Sequence, residues 1–265
     1  MAISAPSHAD ERACPTSSPP PVAVPAIKKR LTSNKEVLIV ALGSSSTEGW
    51  RATTPANTYP ARLQSDLGVA YPLAHFAVIN RGIGGEDALE EMGRMDKDVI
   101  SLRPDLVIWQ VGANGAMAHS DPAVFRKLVS TGIERLKALN IDVVLMDNQR
   151  SPNILASPEH LVLERILSEL AVQYRVSLFS RGALMDGWKR EGANYDQFLS
   201  DDSVHMNDLG YHCTADALSS AIVAGLHAPD PPAIAKTTTP AVSSPASANP
   251  ASGNPVANPT VHASK

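Results

Sequence analysis

Five short runs of apolar, largely β-branched residues recur through the middle of this chain, and each is separated from the next by a stretch with helical spacing. The runs are 36–43 (EVLIVALG), 75–80 (HFAVIN), 105–112 (DLVIWQVG), 141–146 (IDVVLM) and 176–179 (VSLF). Short continuous apolar runs bounded by turn residues suit strands buried on both faces. Between them, 58–67 carries Leu63 and Leu67 four apart, and 86–102 carries Leu89, Met92, Val99 and Leu102. Val124, Leu128, Ile133 and Leu136 mark 122–139, and Leu161, Leu163, Ile166 and Leu170 mark 158–174. The last pattern, 207–226, has Leu209, Cys213 and Ala217 at four-residue intervals. Strand alternating with helix predicts parallel strands joined by right-handed crossovers, an α/β three-layer sandwich around a five-stranded parallel sheet. Ligands in such sheets bind beyond the carboxyl ends of the strands, so the loops after each strand are where chemistry is expected.

Proline marks the limits of this unit. Of 21 prolines, six precede Lys28 and eight follow Leu226. The expected organisation is a mostly disordered leader over 1–30, one folded domain over 31–227, and a disordered Pro/Ala/Ser/Thr-rich tail over 228–265. Aromatic residues are only 5% of the 265, so the core must rest on Ala, Val, Leu and Ile. A net charge of −4 provides no basic field, which excludes nucleic acid as a partner. Apolar stretches such as 37–42 fall well short of the roughly 20 residues of a membrane span. Ser7-His8-Ala9 has the small-x-small form of a signal-peptidase site, although residues 1–6 hold neither an apolar nor a basic region. The two cysteines, Cys14 and Cys213, form no metal-spaced cluster, so no metal site is expected. They are either unrelated thiols or a disulfide tying the leader to the last helix. The second alternative needs an oxidising compartment and favours a periplasmic or secreted protein over a cytoplasmic one.

Four strand-end segments carry reactive side chains. Gly43-Ser44-Ser45-Ser46-Thr47-Glu48-Gly49 follows the first run, and Asn80-Arg81-Gly82-Ile83-Gly84-Gly85 follows the second. Gly112-Ala113-Asn114-Gly115 ends the third, and Asp202-Ser203-Val204-His205 precedes the last helix. Together they hold the parts of a serine hydrolase. A hydroxyl nucleophile needs a base, which His205 can supply. A histidine base needs a carboxylate to fix its tautomer, and Asp202 stands three residues before it. A developing oxyanion needs donors, which glycine-loop N–H groups and the Asn114 amide can provide.

In these motifs the chain resembles the SGNH hydrolases, the GDSL lipase/esterase superfamily, across essentially all of 31–226. The family's Gly-Asp-Ser-x-Thr is matched by Gly43-Ser44-Ser45-Ser46-Thr47, which implies Ser45 as nucleophile. Its Asn-x-Gly-x-x-Gly is matched at Asn80, Gly82 and Gly85, which implies the Gly85 N–H as an oxyanion donor. Gly-x-Asn-Asp is matched at Gly112 and Asn114, adding the Asn114 amide, and Asp-x-x-His is matched by Asp202 and His205. The Ser45 N–H completes the implied oxyanion hole, and the implied architecture is flavodoxin-like. Two positions depart from the pattern. Ser44 replaces an aspartate, and Gly115 replaces the aspartate after the asparagine; both bear on the pocket more than on the reaction.

The resemblance implies a serine esterase acting through an acyl-enzyme, with no metal and no cofactor. The shortage of aromatic and long apolar segments near the motifs favours a short, acetyl-type acyl group on a saccharide or small alcohol. The same residues would serve an acyltransferase or a longer-chain lipase or thioesterase. Plainer readings stand beside these. Ser44, Ser46 and Thr47 neighbour Ser45, and Asp201 neighbours Asp202. His212 falls inside a helical pattern and reads as structural. Trp109 reads as core, whereas Trp50 and Trp188 read as pocket walls. A rival of another class is a flavodoxin-like module whose hydroxyl-rich first loop cradles the phosphate of FMN. That reading gives His205, Asp202 and Asn114 no role. Oligomeric state is left open by the sequence.

Overall fold

The first strand shows why a sheet forms at the centre. Along β1 (Val37–Gly43), Val37, Ile39 and Ala41 enter one apolar core while Val40 and Leu42 enter another. A strand whose alternate side chains are both apolar must be covered on both faces. In the computed structural model, which describes residues 14–229, that covering is helical throughout. The chain runs α1 (Pro25–Thr32), β1, α2 (Ser45–Glu48), α3 (Tyr59–Ala70), β2 (Phe76–Gly82) and α4 (Ala88–Asp98). It continues through β3 (Leu106–Gln110), α5 (Ala113–Met117), α6 (Pro122–Ala138) and β4 (Asp142–Met146). The remaining elements are α7 (Pro152–Leu155), α8 (Glu159–Tyr174), β5 (Ser177–Phe179), α9 (Arg181–Arg190) and α10 (Asp208–His227).

The five strands lie in the order β2-β1-β3-β4-β5, and every neighbouring pair is parallel. One face is packed by Ile27 of α1, Leu63 and Leu67 of α3, Leu184 and Trp188 of α9, and Tyr211, Leu218 and Ile222 of α10. The other face takes Met95 of α4, Val129 and Ile133 of α6, and Leu163, Leu167 and Leu170 of α8. Trp109 fills the centre of this second core, donating Nε1–H to the buried Glu91 carboxylate at 2.7 Å. Gly132 gives it room: a Cβ there would stand 2.5 Å from the indole. The chain leaves β1 toward β2 on one side and returns to β3 on the other. The loops after β1 and β3 therefore diverge, and a crevice opens at their carboxyl ends.

The expected disorder of the leader through residue 30 is corrected for its described part. Residues 14–24 cross both α9 and α10: Thr16 and Ser17 donate to the Glu191 carboxylate just after α9, and Val22, Val24 and Ile27 are buried. The Val22 N–H donates to the Ala221 carbonyl at 3.1 Å, and Gly225 leaves no room for a Cβ because Val22 O would lie 1.8 Å away. Cys14 and Cys213 are joined in a disulfide with Cα atoms 5.3 Å apart. Proline-rich chain can pack in this way because proline has no N–H to satisfy, and the few valines supply apolar surface. Residues 1–13, including Ser7-His8-Ala9, and the expected tail from 230 onward lie outside the described residues. Among the described residues no helix is long and apolar enough to cross a membrane.

Candidate active site

The loop after β1 is fixed from three sides before any reactive atom is considered. Gly43 has no space for a side chain, since a Cβ would sit 2.3 Å from Thr47 Oγ1 and 2.8 Å from Gln110 Oε1. The chain passes from strand into α2 across Ser44 alone. Buried Gln110, at the end of β3, accepts from the Ser44 N–H at 3.1 Å and from Thr47 Oγ1 at 3.0 Å. From the β2 side, Asn80 Nδ2 donates to the carbonyls of Thr47 and Glu48 at 2.8 and 3.2 Å, while its Oδ1 accepts from the Gly82 N–H at 2.8 Å. Gly82 must be glycine here, because a Cβ would collide with the Glu48 N–H at 1.9 Å. The short helix is thus wedged between two strand ends, and Ser45 is its first residue.

The Ser45 hydroxyl meets the segment before α10. His205 Nε2 lies 2.8 Å from Ser45 Oγ, and His205 Nδ1 lies 2.7 Å from Asp202 Oδ2. A carboxylate can only accept, so Nδ1 carries the proton toward Asp202 and the lone pair of Nε2 faces the serine. The other carboxylate oxygen, Oδ1, accepts from Ser200 Oγ at 2.7 Å and from the N–H groups of Val204 and His205 at 3.0 and 2.9 Å. Burial alone would raise the Asp202 pKa. These donors, led by the His205 N–H and ring, outweigh it and hold the carboxyl well below the usual carboxylate range.

Two further side chains tie the acid–base segment to the serine loop. Gln149 donates Nε2–H to the Val204 carbonyl at 2.8 Å and accepts from Ser46 Oγ at 3.4 Å. Arg51 Nε donates to Asp202 Oδ2 at 3.1 Å, and its Nη1 lies 3.6 Å from Asp201 Oδ1. Arg51 does this from a left-handed backbone, φ 72°.

The loop after β2 runs beside the serine. A Cβ on Gly84 would stand 3.8 Å from Ser45 Cβ and 2.9 Å from Glu48 Oε2, and Gly85 has φ 85°. Asn114, the second residue of α5, donates Nδ2–H to the Glu86 carbonyl at 2.8 Å, which leaves its second amide N–H uncommitted. Arg94 braces the same corner, reaching Glu86 Oε2 at 2.6 Å and the Gly43 carbonyl at 3.1 Å.

The structure therefore brings Ser45, His205 and Asp202 into one hydrogen-bonded chain and sets the loop of Gly84 and Gly85, tied to Asn114, alongside. It separates the near neighbours. Ser44, Ser46 and Thr47 are buried on Gln110 and Gln149. Asp201 is 86% exposed and pairs with Arg51 rather than with His205. His212 lies beside Arg62 between α3 and α10, 3.5 Å away. Gly115 faces Leu163 and Ser120, where a Cβ would sit 3.4 Å from each. Trp188 is corrected from pocket wall to core: it is buried, with its ring 4.4 Å from that of Phe198. Trp50 is 53% exposed, with its ring centroid 6.3 Å from that of His205. Gln110, Gln149, Arg51 and Arg94 escaped the sequence reading. Only Gln110 left a trace, as the lone polar side chain in the run LVIWQ. Among the described residues no group of three or more His, Cys, Asp or Glu could hold a metal ion.

With this geometry in place, comparison with known proteins gives a consistent set. The model of the Non-GDSL lipase-like family matches residues 13–228. No curated protein matches the sequence. Among solved structures, the acetyl xylan esterase AlAXEase is similar at a TM-score of 0.59 and 24% identity, over 70% of this chain and 100% of its own. Axe2, an acetylxylan esterase from Geobacillus stearothermophilus, gives 0.59 at 20% identity, over 70% of this chain and 93% of its own. A two-domain esterase (CEX) active on acetylated mannans, co-crystallized with mannopentaose, gives 0.67 at 21% identity, over 81% of this chain and 57% of its own. At such identities the likeness to solved structures is one of fold.

Proposed function

The chain belongs to the Non-GDSL lipase-like family, and from that premise we propose that it is a serine carboxylic ester hydrolase removing a short, acetyl-type acyl group from a saccharide. The observation that carries this reading is the continuous chain Ser45 Oγ–His205 Nε2/Nδ1–Asp202 Oδ2, at 2.8 and 2.7 Å. In the mechanism that follows, His205 Nε2 takes the Ser45 hydroxyl proton as Oγ attacks the ester carbonyl carbon. The carbonyl π pair moves onto oxygen. That oxyanion is received by the N–H groups of Ser45 and Gly85 and by the second N–H of the Asn114 amide. Asp202 stays ionised and steadies the imidazolium. Collapse reforms the carbonyl, breaks the bond to the leaving oxygen, and sends the His205 proton to that oxygen as the alcohol departs. Water then repeats the sequence on the acyl-serine, releasing the acid and restoring the Ser45 hydroxyl.

The saccharide enters through the structural neighbours, three of which act on acetylated xylan or mannan by their descriptions. The phosphate-cradle alternative is weaker, because Ser44 and Thr47 spend their hydroxyls on Gln110 and that reading leaves the His205–Asp202 pair idle. An acyltransferase would use the same chain with an alcohol in place of water. The test is release of acetate from acetylated xylo-oligosaccharides by the purified protein, against Ser45→Ala and with added acceptor alcohols. Acetate release lost in Ser45→Ala supports the reading. Acyl transfer outrunning hydrolysis reassigns it to a transferase, and undiminished turnover by Ser45→Ala removes it.

A further inference from the structure

Of three tryptophans, two are buried: Trp109 in one core and Trp188 in the other. Trp50 alone presents its indole to solvent, 53% exposed, and it does so beside His205. Its backbone is held on both sides. The Trp50 N–H donates to the Ser45 carbonyl at 2.9 Å, and its carbonyl accepts from the hydroxyl of buried Tyr211 at 2.8 Å. The backbone that carries the ring is thus held beside the serine, and the indole centroid lies 6.3 Å from that of His205 with the two planes tilted by 48°.

We propose that Trp50 forms the leaving-group subsite, a platform on which the pyranose ring bearing the ester oxygen stacks. This rests on the esterase reading above, and its logic is positional. The leaving oxygen must collect its proton from His205 Nε2, so whatever is attached to that oxygen has to lie over the exposed side of the imidazole. The acyl carbon, by contrast, must lie against the oxyanion donors of the Gly85 loop and Asn114. The two halves of the substrate are therefore sorted to opposite sides of Ser45, and the nearness of Trp50 to the imidazole places it with the alcohol half. An indole presents a large, rigid apolar face at low conformational cost, and the C–H face of a pyranose is flat and apolar enough to cover it. The sugar's outward hydroxyls would meet a polar rim, in which the half-exposed Arg51 guanidinium and the exposed Asp201 carboxylate lie next in line. Small-molecule sites combine an apolar wall with a few convergent polar groups in this way. A small alkyl alcohol would gain nothing from the platform. Trp50 thus selects cyclic over small acyclic leaving groups without touching the acyl half.

The experiment compares two acetyl esters that share the acyl group and differ in the alcohol: an acetylated xylo-oligosaccharide and vinyl acetate. With Trp50→Ala, kcat/KM on the saccharide is expected to fall about 10- to 100-fold, mainly through KM, the usual scale for truncating a contact tryptophan. On vinyl acetate the same variant should stay within about twofold of wild type, and Trp50→Phe should recover part of the saccharide loss. Equal losses on both esters would mean that Trp50 only shapes the Ser45–His205 geometry, and would overturn the proposal. An unchanged saccharide kcat/KM in Trp50→Ala overturns it as well while leaving the esterase reading intact. Wild-type activity on vinyl acetate with none on the saccharide overturns the platform together with the saccharide part of that reading, and leaves only a Ser45-dependent ester hydrolase. Wild-type protein inactive on both esters sinks the esterase reading, and the platform with it.

Discussion

Asp202 gathers five donors onto two oxygens, and that crowding governs how single substitutions should behave. Ser45→Ala is expected to lower kcat by about 10⁴- to 10⁶-fold with little change in Tm, because in the proposed mechanism the serine, histidine and aspartate act as one unit. Asn114→Ala would remove one of the three proposed oxyanion donors and should cost less, about 10²- to 10³-fold in kcat. Arg51 shares Oδ2 with His205. The residues that the structure joins were legible for a physical reason. Ser45, Asn114, and the pair of Asp202 and His205 each stand in a short local motif at a strand end or helix start. Gln110, Gln149, Arg94 and Arg51 act on partners 51 to 151 positions away or through single side chains, and no local pattern announces such a contact.

Among the elements, the strands were the most readable because each must be apolar on both faces. Helices α3, α4, α6, α8 and α10 follow, since one apolar stripe repeats along each. The first helix and the segment before it were missed, because what holds them is not in their own sequence. Asp142, at the start of β4, accepts from the Ala26 N–H at 2.7 Å and so caps α1, whose own preceding residue, Val24, offers no side-chain acceptor. Burial pushes the Asp142 carboxyl up to about 7, against the opposing N–H bonds of Ala26 and Ile27, with the Asp105 charge adding to the rise. A carboxyl raised on folding stabilises the native state while protonated. That contribution is complete below the ordinary carboxylate pKa of 3.8 and disappears as pH climbs toward 7. Asp142→Asn keeps one acceptor and loses the charge. Its Tm relative to wild type should therefore rise by a few degrees between pH 4 and 7. A difference that stays flat across that window would show that the carboxyl does not titrate there. Asn80 gives the second prediction at this scale. Truncating it to Ala strands the Thr47 and Glu48 carbonyls and the Gly82 N–H, and should cost about 1–3 kcal/mol. Chemical denaturation would measure that loss, and kcat should drop with it as α2 loosens.

At the scale of the whole molecule, the bond between Cys14 and Cys213 spans 199 positions and joins the segment ahead of α1 to the second turn of the last helix. In the chain-entropy account, closing so long a loop is worth up to about 5 kcal/mol, and removing a native bridge commonly costs 2–5 kcal/mol. Cys14→Ser with Cys213→Ser should unfold at markedly lower denaturant while retaining kcat at 25 °C, since the partners that hold Asp202 and His205 on Ser45 include neither sulfur. A loss of kcat equal to that of Ser45→Ala would show that α10 needs the tether to hold His205 in place. The bridge also changes how the protein carries load. Tension applied through its two ends enters at Cys14 and leaves at Cys213, so the sheet, the crevice and every residue between them are bypassed. Pulled in an optical trap while oxidised, the protein should lengthen only by what lies outside the bridge. Reduction should then release roughly 700 Å of hidden chain, 199 positions at about 3.6 Å each.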